Sequence, residues 1–166
     1  MAYKAKFEQW IPIPLERAFR FFGNPANLAR IMPPWMAVRV EDVWLVPPPD
    51  QAHNEQFAGE GSVLRISFRA IPLLPFRIRS IAHIVSFALN QSFGDAHSDR
   101  LFKIWHHRHE FASERRRGRS GTVVRDVISY ELRFGPFSSV INQLFIKPQM
   151  RRIFEYRQRV AERLLT

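Results

Sequence analysis

The chain has 166 residues, which suits one domain spanning 1–166 and large enough to bury a core without disulfides or structural metals. It contains no cysteine, which excludes disulfide and thiolate chemistry and fits the reducing cytoplasm, where we expect the protein to act. An excess of 25 Lys and Arg over 15 Asp and Glu gives a net charge of +10 and raises nucleic acid or anionic membranes as candidate partners.

The first residues predict one strand followed by two short helices. Phe7, Gln9 and Ile11 lie on one face of an alternating run that two prolines end, which indicates a strand. The apolar residues that follow have helical spacing, and Asn24 is suited to cap the second helix. The strand is predicted at 7–12 and the helices at 15–22 and 25–31.

Six further strands and one long helix follow, with Gly, Pro, Asn or Asp between them. The strands are predicted at 36–46, 61–71, 76–87, 92–97, 101–114 and 121–134, and an exposed loop at 50–57. Because short links make successive strands antiparallel neighbours, the predicted class is α+β, with an antiparallel sheet packed on one long helix.

The long helix is predicted from Ser138 or Ser139 to Leu165, with Pro148 inside it. Proline removes one helical hydrogen bond, so we expect a bend that leaves space beneath the helix. The residues predicted to face the sheet are Ile141, Leu144, Phe145, Ile153, Phe154, Val160 and Leu164.

The two strands before this helix carry most of the chemical signal. Lys103, Trp105, His107, His109 and Phe111 alternate and therefore share one face of the first strand. In the second strand the less charged face contains Thr122, Val124, Asp126, Ile128, Tyr130 and Leu132, and we place this face inward. A buried carboxylate needs partners, so we expect Asp126 to contact His107 or His109 across the hairpin.

These residues form an ordered set of short motifs over nearly the whole chain. The motifs are Phe93-Gly94-Asp95, Trp105-x-His107-x-His109-x-Phe111, Gly121-Thr122 with Asp126 and Tyr130, the entry Ile11-Pro12-Ile13-Pro14-Leu15, the segments Asn24-Pro25-Ala26-Asn27-Leu28 and Met32-Pro33-Pro34, and the end Ile153-Phe154-Glu155-Tyr156-Arg157. In order and spacing they resemble small proteins of the SRPBCC superfamily, which is START-like and polyketide-cyclase-like.

The resemblance implies a helix-grip fold, in which a curved seven-stranded antiparallel sheet wraps around a long C-terminal helix and two short helices follow the first strand. It also implies a hydrophobic tunnel, because members bind lipids, sterols, hormones, quinones or polyketides, and a minority catalyse cyclisation or dehydration. We therefore expect a small hydrophobic or amphipathic ligand between sheet and helix. The expected ligand-binding residues are Phe93, Asp95, Trp105, His107, His109, Phe111, Asp126, Tyr130, Ile141, Phe145 and Phe154.

A cyclase or dehydratase is the alternative to a binding protein. Asp126 could keep His107 or His109 basic for proton abstraction next to a carbonyl, and Tyr130 could donate to a developing oxyanion. Those four residues are the candidate catalytic groups. Binding is the preferred interpretation, because no activated nucleophile or cofactor motif accompanies them.

The pair His107 and His109 also matches the spacing of metal ligands on a strand. A third ligand would have to be His97, His83, Asp95 or Asp126. We predict no metal and no cofactor, because no Cys or Glu/His partner stands at a recognisable spacing.

The basic charge concentrates in Arg115, Arg116, Arg117 and Arg119, between two predicted strands. A basic hairpin tip of this kind is more often solvated surface than a reader of nucleic acid, so we expect no specific nucleic acid and at most a weak anionic-surface contact. A basic protein that associates with surfaces is the third functional alternative. The sequence shows no signal-peptide region and no transmembrane segment.

Overall fold

The computed structural model describes residues 1–48, 57–71 and 76–166, with Ser98 described by its backbone alone. The strands are β1 (Ala2–Ile11), β2 (Arg39–Trp44), β3 (Val63–Phe68), β4 (Ile78–Ala88), β5 (Ser92–Ser98), β6 (Phe102–Arg116) and β7 (Arg119–Leu132). The helices are α1 (Leu15–Gly23), α2 (Leu28–Ile31), α3 (Ser138–Ile141) and α4 (Lys147–Leu165), and a π-helical stretch (Asn142–Ile146) joins the last two. We call α3, the π-helical stretch and α4 together the C-terminal helix.

The seven strands of the described chain form one antiparallel sheet in the order β1-β7-β6-β5-β4-β3-β2. Antiparallel pairing of each strand from β2 to β6 with the next is as the sequence predicts. β1 starts five residues earlier than predicted, because Tyr3 and Ala5 face inward and alternate with Lys4 and Lys6, which are exposed. Irregularities in the β2–β3, β4–β5 and β6–β7 pairings bend the strands. The concave face of the curved sheet lies toward the C-terminal helix.

One of these irregularities corrects the predicted face of β6. The pairing with β7 shifts between Phe102 and Ile104, so the residue between them does not continue the alternation. Lys103 is exposed, whereas Phe102 is buried beside Trp105, with ring centroids 4.6 Å apart. From Trp105 onward the alternation follows the sequence prediction.

The β6–β7 hairpin sets the register of the two strands that carry the chemical signal. Its turn residues, Arg117 and Gly118, have φ angles of 49° and 78°, which suits a two-residue hairpin turn. The arginines at this tip are exposed, and Arg116 pairs with Glu114 and Glu8. Contact of the tip with an anionic surface stays a prediction.

The helix α1 closes one end of the sheet through Phe19, which is fully buried. Its ring contacts Phe57, Phe87, Phe93 and Phe111 at centroid distances of 5.1 to 5.9 Å. The prediction of an exposed loop at 50–57 is therefore wrong for Phe57, which is 2% exposed because its ring completes this aromatic cluster. Residues 50–56 lie outside the described part of the chain.

The C-terminal helix packs on the concave face through a different set of residues from the predicted one. The buried residues of α4 are Met150, Phe154, Arg157, Ala161 and Leu165, and the rings of Phe154 and Phe7 stack 4.2 Å apart. Leu144, Phe145 and Leu164 were predicted to face the sheet but are 64%, 63% and 40% exposed.

The π-helical stretch explains the difference at the start of the helix. The backbone N–H of Lys147 bonds the carbonyl of Asn142, five residues earlier, so the wider turn changes the direction of the side chains around it. Pro148 follows at once and has no N–H of its own to offer to the helix. None of the helices within the described residues is long and apolar enough to cross a membrane.

Truncation of the Phe19 side chain tests the packing of the core. Phe19→Ala should lower the free energy of unfolding by about 3–5 kcal/mol, because it removes a fully buried ring and leaves a cavity. Phe137→Ala is the matched control, because Phe137 is 69% exposed, and it should change stability by about 0.5 kcal/mol or less. Urea unfolding followed by circular dichroism measures both, and equal losses would contradict the described core.

Candidate ligand-binding site

A cavity of about 490 Å³ lies between the concave face of the sheet and the C-terminal helix. Its walls are mostly apolar and come from the short helices, from β3 and β4, and from the C-terminal helix, including Leu28, Ile31, Leu64, Ile84, Ile153 and Phe154. This volume lies in the usual range for sites that bind small molecules.

A polar cluster occupies one part of the cavity wall and extends behind it. Adjacent strands place its members directly opposite one another, because Asp95 of β5 pairs with His107 of β6, and His109 of β6 pairs with Asp126 of β7. All four residues are buried on the concave side. The two imidazole rings lie 4.0 Å apart between their centroids.

The two carboxylates lie on opposite sides of this imidazole pair. Nε2 of His107 is hydrogen-bonded to Oδ1 of Asp126 at 2.8 Å. Nδ1 of His109 is also 2.8 Å from that oxygen, although without the alignment of a hydrogen bond. The other nitrogens, Nδ1 of His107 and Nε2 of His109, are 3.8 Å and 3.9 Å from Oδ2 of Asp95.

The polar cluster continues along the cavity wall through His97. Nε2 of His97 lies 2.6 Å from Oδ1 of Asp95, and its Nδ1 lies 3.2 Å from the hydroxyl of Ser80. That hydroxyl donates to Asp99, at 3.3 Å. Asp95, His97 and Asp99 all line the cavity, so this side of the wall offers both carboxylates and imidazoles to a guest.

The structure brings most of the predicted site residues to the cavity. Those that line it are Phe93, Asp95, Trp105, His107, His109, Ile141, Phe145 and Phe154. Three others lie behind this surface: Phe111 packs on Phe19, Asp126 contacts the two histidines, and the hydroxyl of Tyr130 donates to Oδ1 of Asn142 at 2.7 Å. Whether any of them binds a ligand stays a prediction.

The chain was compared with known proteins by sequence and by structure. No protein-family profile matches it, and no curated protein matches it by sequence. The Zhui aromatase/cyclase from Streptomyces sp. R1128 superposes with a TM-score of 0.69 at 8% identity, over 99% of this chain and 94% of that one. Protein CV1439 from Chromobacterium violaceum gives 0.65 at 12% identity, over 96% of each chain, and Ara h 8.0201 gives 0.58 at 12% identity, over 97% and 98%.

The chain has a helix-grip fold. At these identities the likeness shows the fold alone, so the chemistry of the helix-grip cavity has to be argued from its own residues. The resemblance read from the sequence motifs is confirmed at this level.

The charges inside the helix-grip cavity follow from burial and from the histidines. Burial opposes charge on Asp95, but neighbouring imidazoles, chiefly that of His97, outweigh it and hold the pKa of the carboxyl at about 2. Burial is likewise outweighed at Asp126, where His109 and His107 hold the pKa well below its usual range. Burial and the neighbouring His109 lower the pKa of His107 to about 4, against the attraction of the carboxylates. At neutral pH the polar cluster therefore contains two ionised carboxylates beside an uncharged His107.

Arg157 is the most informative site residue that the sequence analysis missed. It lines the cavity, is 8% exposed, and lies with its guanidinium carbon 4.7 Å from the ring centroid of Phe154. Its charge helps to lower the pKa of Asp126. An arginine on the buried stripe of Met150, Phe154, Ala161 and Leu165 is the signal that could have revealed it, because an amphipathic helix rarely buries a charge without a partner.

Acid should destabilise the protein through His107. An unfolded imidazole has a pKa near 6.5, whereas the pKa of His107 in the fold is about 4. The unfolded state therefore takes up the proton first as the pH falls, and stability that is complete above about pH 6.5 is lost down to about pH 4. The loss is about 3 kcal/mol, measured by urea unfolding across this range in buffer that contains a chelator.

Two variants test whether His107 causes this loss of stability. His107→Gln should remove most of the pH dependence in that range, since no buried imidazole remains at this position to be protonated. His106→Gln is the control, because His106 is exposed on the opposite face of the same strand and should leave the dependence unchanged. A direct readout is the NMR titration of the His107 ring in the wild-type protein, and a midpoint near neutral pH would refute the assignment.

Proposed function

We propose that the protein binds one small amphipathic molecule, whose apolar body fills the helix-grip cavity and whose acidic end lies beside Arg157. The observation that carries the proposal is this buried guanidinium at the wall of a mostly apolar cavity. The proposal treats the cavity as a carrier or sensor site and assigns it no chemistry.

The apolar body is supported by the size and the walls of the cavity. Burial of apolar surface contributes about 25 cal/mol per Å², so a guest that buries roughly 300 Å² gains about 7 kcal/mol before association costs. The walls that would provide this contact, such as Leu28, Leu64 and Ile153, come from elements on both sides of the cavity.

The acidic end is supported by the lack of a salt bridge at Arg157. Among the described residues no carboxylate oxygen lies within 4 Å of its guanidinium, and its only close partner is the face of Phe154. A guanidinium has several N–H donors, and a carboxylate is the partner whose geometry fits it best. Nε1 of Trp105 is a second buried donor without a partner at this wall.

A cyclase or dehydratase is the second candidate. The hydrogen bond between His107 and Asp126 beside the cavity favours it, as does the likeness of the fold to the Zhui aromatase/cyclase. However, an imidazole with a pKa of about 4 is a weak base at neutral pH. The hydroxyl of Tyr130 is also engaged by Asn142 rather than directed at the cavity. These observations favour binding, and the NMR titration of His107 separates the two candidates.

A bulky side chain placed in the cavity should weaken binding of a guest. Ala82 is buried at the cavity wall, so Ala82→Phe would place a ring in the space that the guest needs. With 1-anilinonaphthalene-8-sulfonate as a fluorescent probe and decanoate as competitor, we expect the affinity for both to fall by about tenfold or more. Ala112→Phe is the control, because Ala112 is exposed on the convex face, and it should bind as the wild type does. If Ala82→Phe binds the probe as tightly as the wild type does, and circular dichroism shows that the variant is folded, the probe binds outside this cavity.

Removal of the guanidinium should discriminate between acidic and neutral guests. Arg157→Gln should weaken decanoate binding by about tenfold or more, because a charge-assisted hydrogen bond is lost, and should leave decanol binding within about twofold. Arg159→Gln is the control, since Arg159 lies on the same helix and is exposed. Competition titrations with the same fluorescent probe measure the ratio. An equal loss of affinity for decanoate and decanol would contradict the proposal that an acidic end lies beside Arg157.

A further inference from the structure

We propose that Asp95, His107 and His109 bind one divalent first-row transition-metal cation of the Zn²⁺ or Fe²⁺ type. All three residues are buried, with exposures of 8%, 6% and 6%. One ligand atom from each residue lies within 4.8 Å of the other two. The site uses atoms that the proposed acidic guest does not need, and it stands independently of that function.

The spacing of the ligand atoms fits a site that is preformed and closes slightly on binding. Nδ1 of His107 and Nε2 of His109 are 3.8 Å and 3.9 Å from Oδ2 of Asp95. Bonds of about 2.0–2.2 Å to one cation place neighbouring ligands about 3 to 3.5 Å apart. These two distances therefore have to shorten by roughly half an ångström, which small side-chain rotations can provide.

Asp126 supplies the second observation that points to a cation. A histidine that binds a metal through one ring nitrogen almost always has its other nitrogen held by a carboxylate, a carbonyl or water. Here the nitrogens that face away from Asp95, Nε2 of His107 and Nδ1 of His109, both lie 2.8 Å from Oδ1 of Asp126. One carboxylate thus holds His107 by a hydrogen bond and lies beside His109, and the other nitrogen of each ring lies within 4 Å of the opposite carboxylate.

Charge balance and donor type select the class of cation. Asp95 and Asp126 place two negative charges in a buried wall, and Arg157 is the nearby fixed positive charge that acts on Asp126. Two imidazoles with one carboxylate suit Zn²⁺, Fe²⁺ and their neighbours, whereas Mg²⁺ and Ca²⁺ prefer oxygen ligands. Three protein ligands leave coordination positions free, and all three residues line the cavity that a guest would occupy.

The sequence analysis predicts no metal, and the position of Asp95 is the reason for proposing one here. The sequence offers several possible third ligands and no spacing that selects one. Pairing of β5 with β6 places Asp95 directly opposite His107, which completes the set.

The test uses the metal alone on the full chain after treatment with a chelator. We expect one equivalent of Co²⁺ to bind with a visible absorbance spectrum of nitrogen and oxygen ligation, and Zn²⁺ and anaerobic Fe²⁺ to compete for it. The cation should also raise the melting temperature, because it binds the native state. Absence of saturable binding of all three ions would overturn the proposal, whatever the result with decanoate.

Variants locate the site. His109→Ala and Asp95→Asn should each weaken Co²⁺ binding by about a hundredfold or more, and His106→Ala and His83→Ala, both on exposed histidines, should leave it unchanged. Binding that survives the first pair, or is lost in the second, refutes the assignment. In the wild-type protein, paramagnetic broadening of the His107 and His109 ring signals by Co²⁺ gives the same answer if a variant does not fold.

Asp126 is a positioning residue in this site, so its variants need a readout that stability alone would not move. Asp126→Asn should weaken Co²⁺ binding by about tenfold to a hundredfold and shift the absorbance bands, because the imidazoles lose their orienting charge. Asp126→Glu, which keeps the carboxylate, should restore part of the affinity. Unchanged bands and affinity in Asp126→Asn would remove Asp126 from the site.

Discussion

A carboxylate that stays ionised inside an apolar layer needs partners close at hand, and Asp126 is in this position on the concave face of the sheet. Its partners are two imidazoles of the neighbouring strand, which can reach it only in one register of β6 on β7. A shift of one residue would move both rings to the convex face. The hairpin turn at Arg117 and Gly118 holds that register. On its other side β7 lies close against β1 at Gly121, where a side-chain carbon would lie 2.6 Å from both the ring of Trp10 and the carbonyl of Ile11.

The protein is hollow where the C-terminal helix stands away from the concave face. The helix lies beside the polar cluster, with the ring centroids of Phe154 and His107 5.7 Å apart. Polar contacts at the two ends set its position: Tyr130 bonds Asn142 near the start, and Gln9 bonds the carbonyl of Gln158 farther along. Between these contacts Phe154 packs on Phe7 at the edge of the polar cluster. The cavity is the space that this arrangement leaves.

Period-two alternation was enough to predict the concave face of β7 and, from Trp105 onward, that of β6, because burial on one side of a strand leaves a regular pattern. The alternation failed at Lys103, since a bulge depends on pairing with another strand and has no local signature there. Helical spacing failed at Leu144 because it assumes α-helical turns, whereas the turns of the π-helical stretch are wider. The roles proposed for Arg157 and Asp95 depend on contacts between segments that are far apart in the sequence. No local pattern in the sequence records such contacts.

The π-helical stretch also bears on how fast a guest could enter and leave. Wider turns, followed by a proline that offers no N–H, divide the C-terminal helix into two parts that need not open together. The first part presents Leu144 and Phe145 largely to solvent, Phe145 also borders the cavity, and the hydrogen bond between Tyr130 and Asn142 is the polar contact that its displacement would break. Local opening of this part, with α4 still docked, would admit a molecule to the interior at a fraction of the free energy of unfolding. The exchange time of a bound guest is then set by one helical segment rather than by the stability of the whole domain.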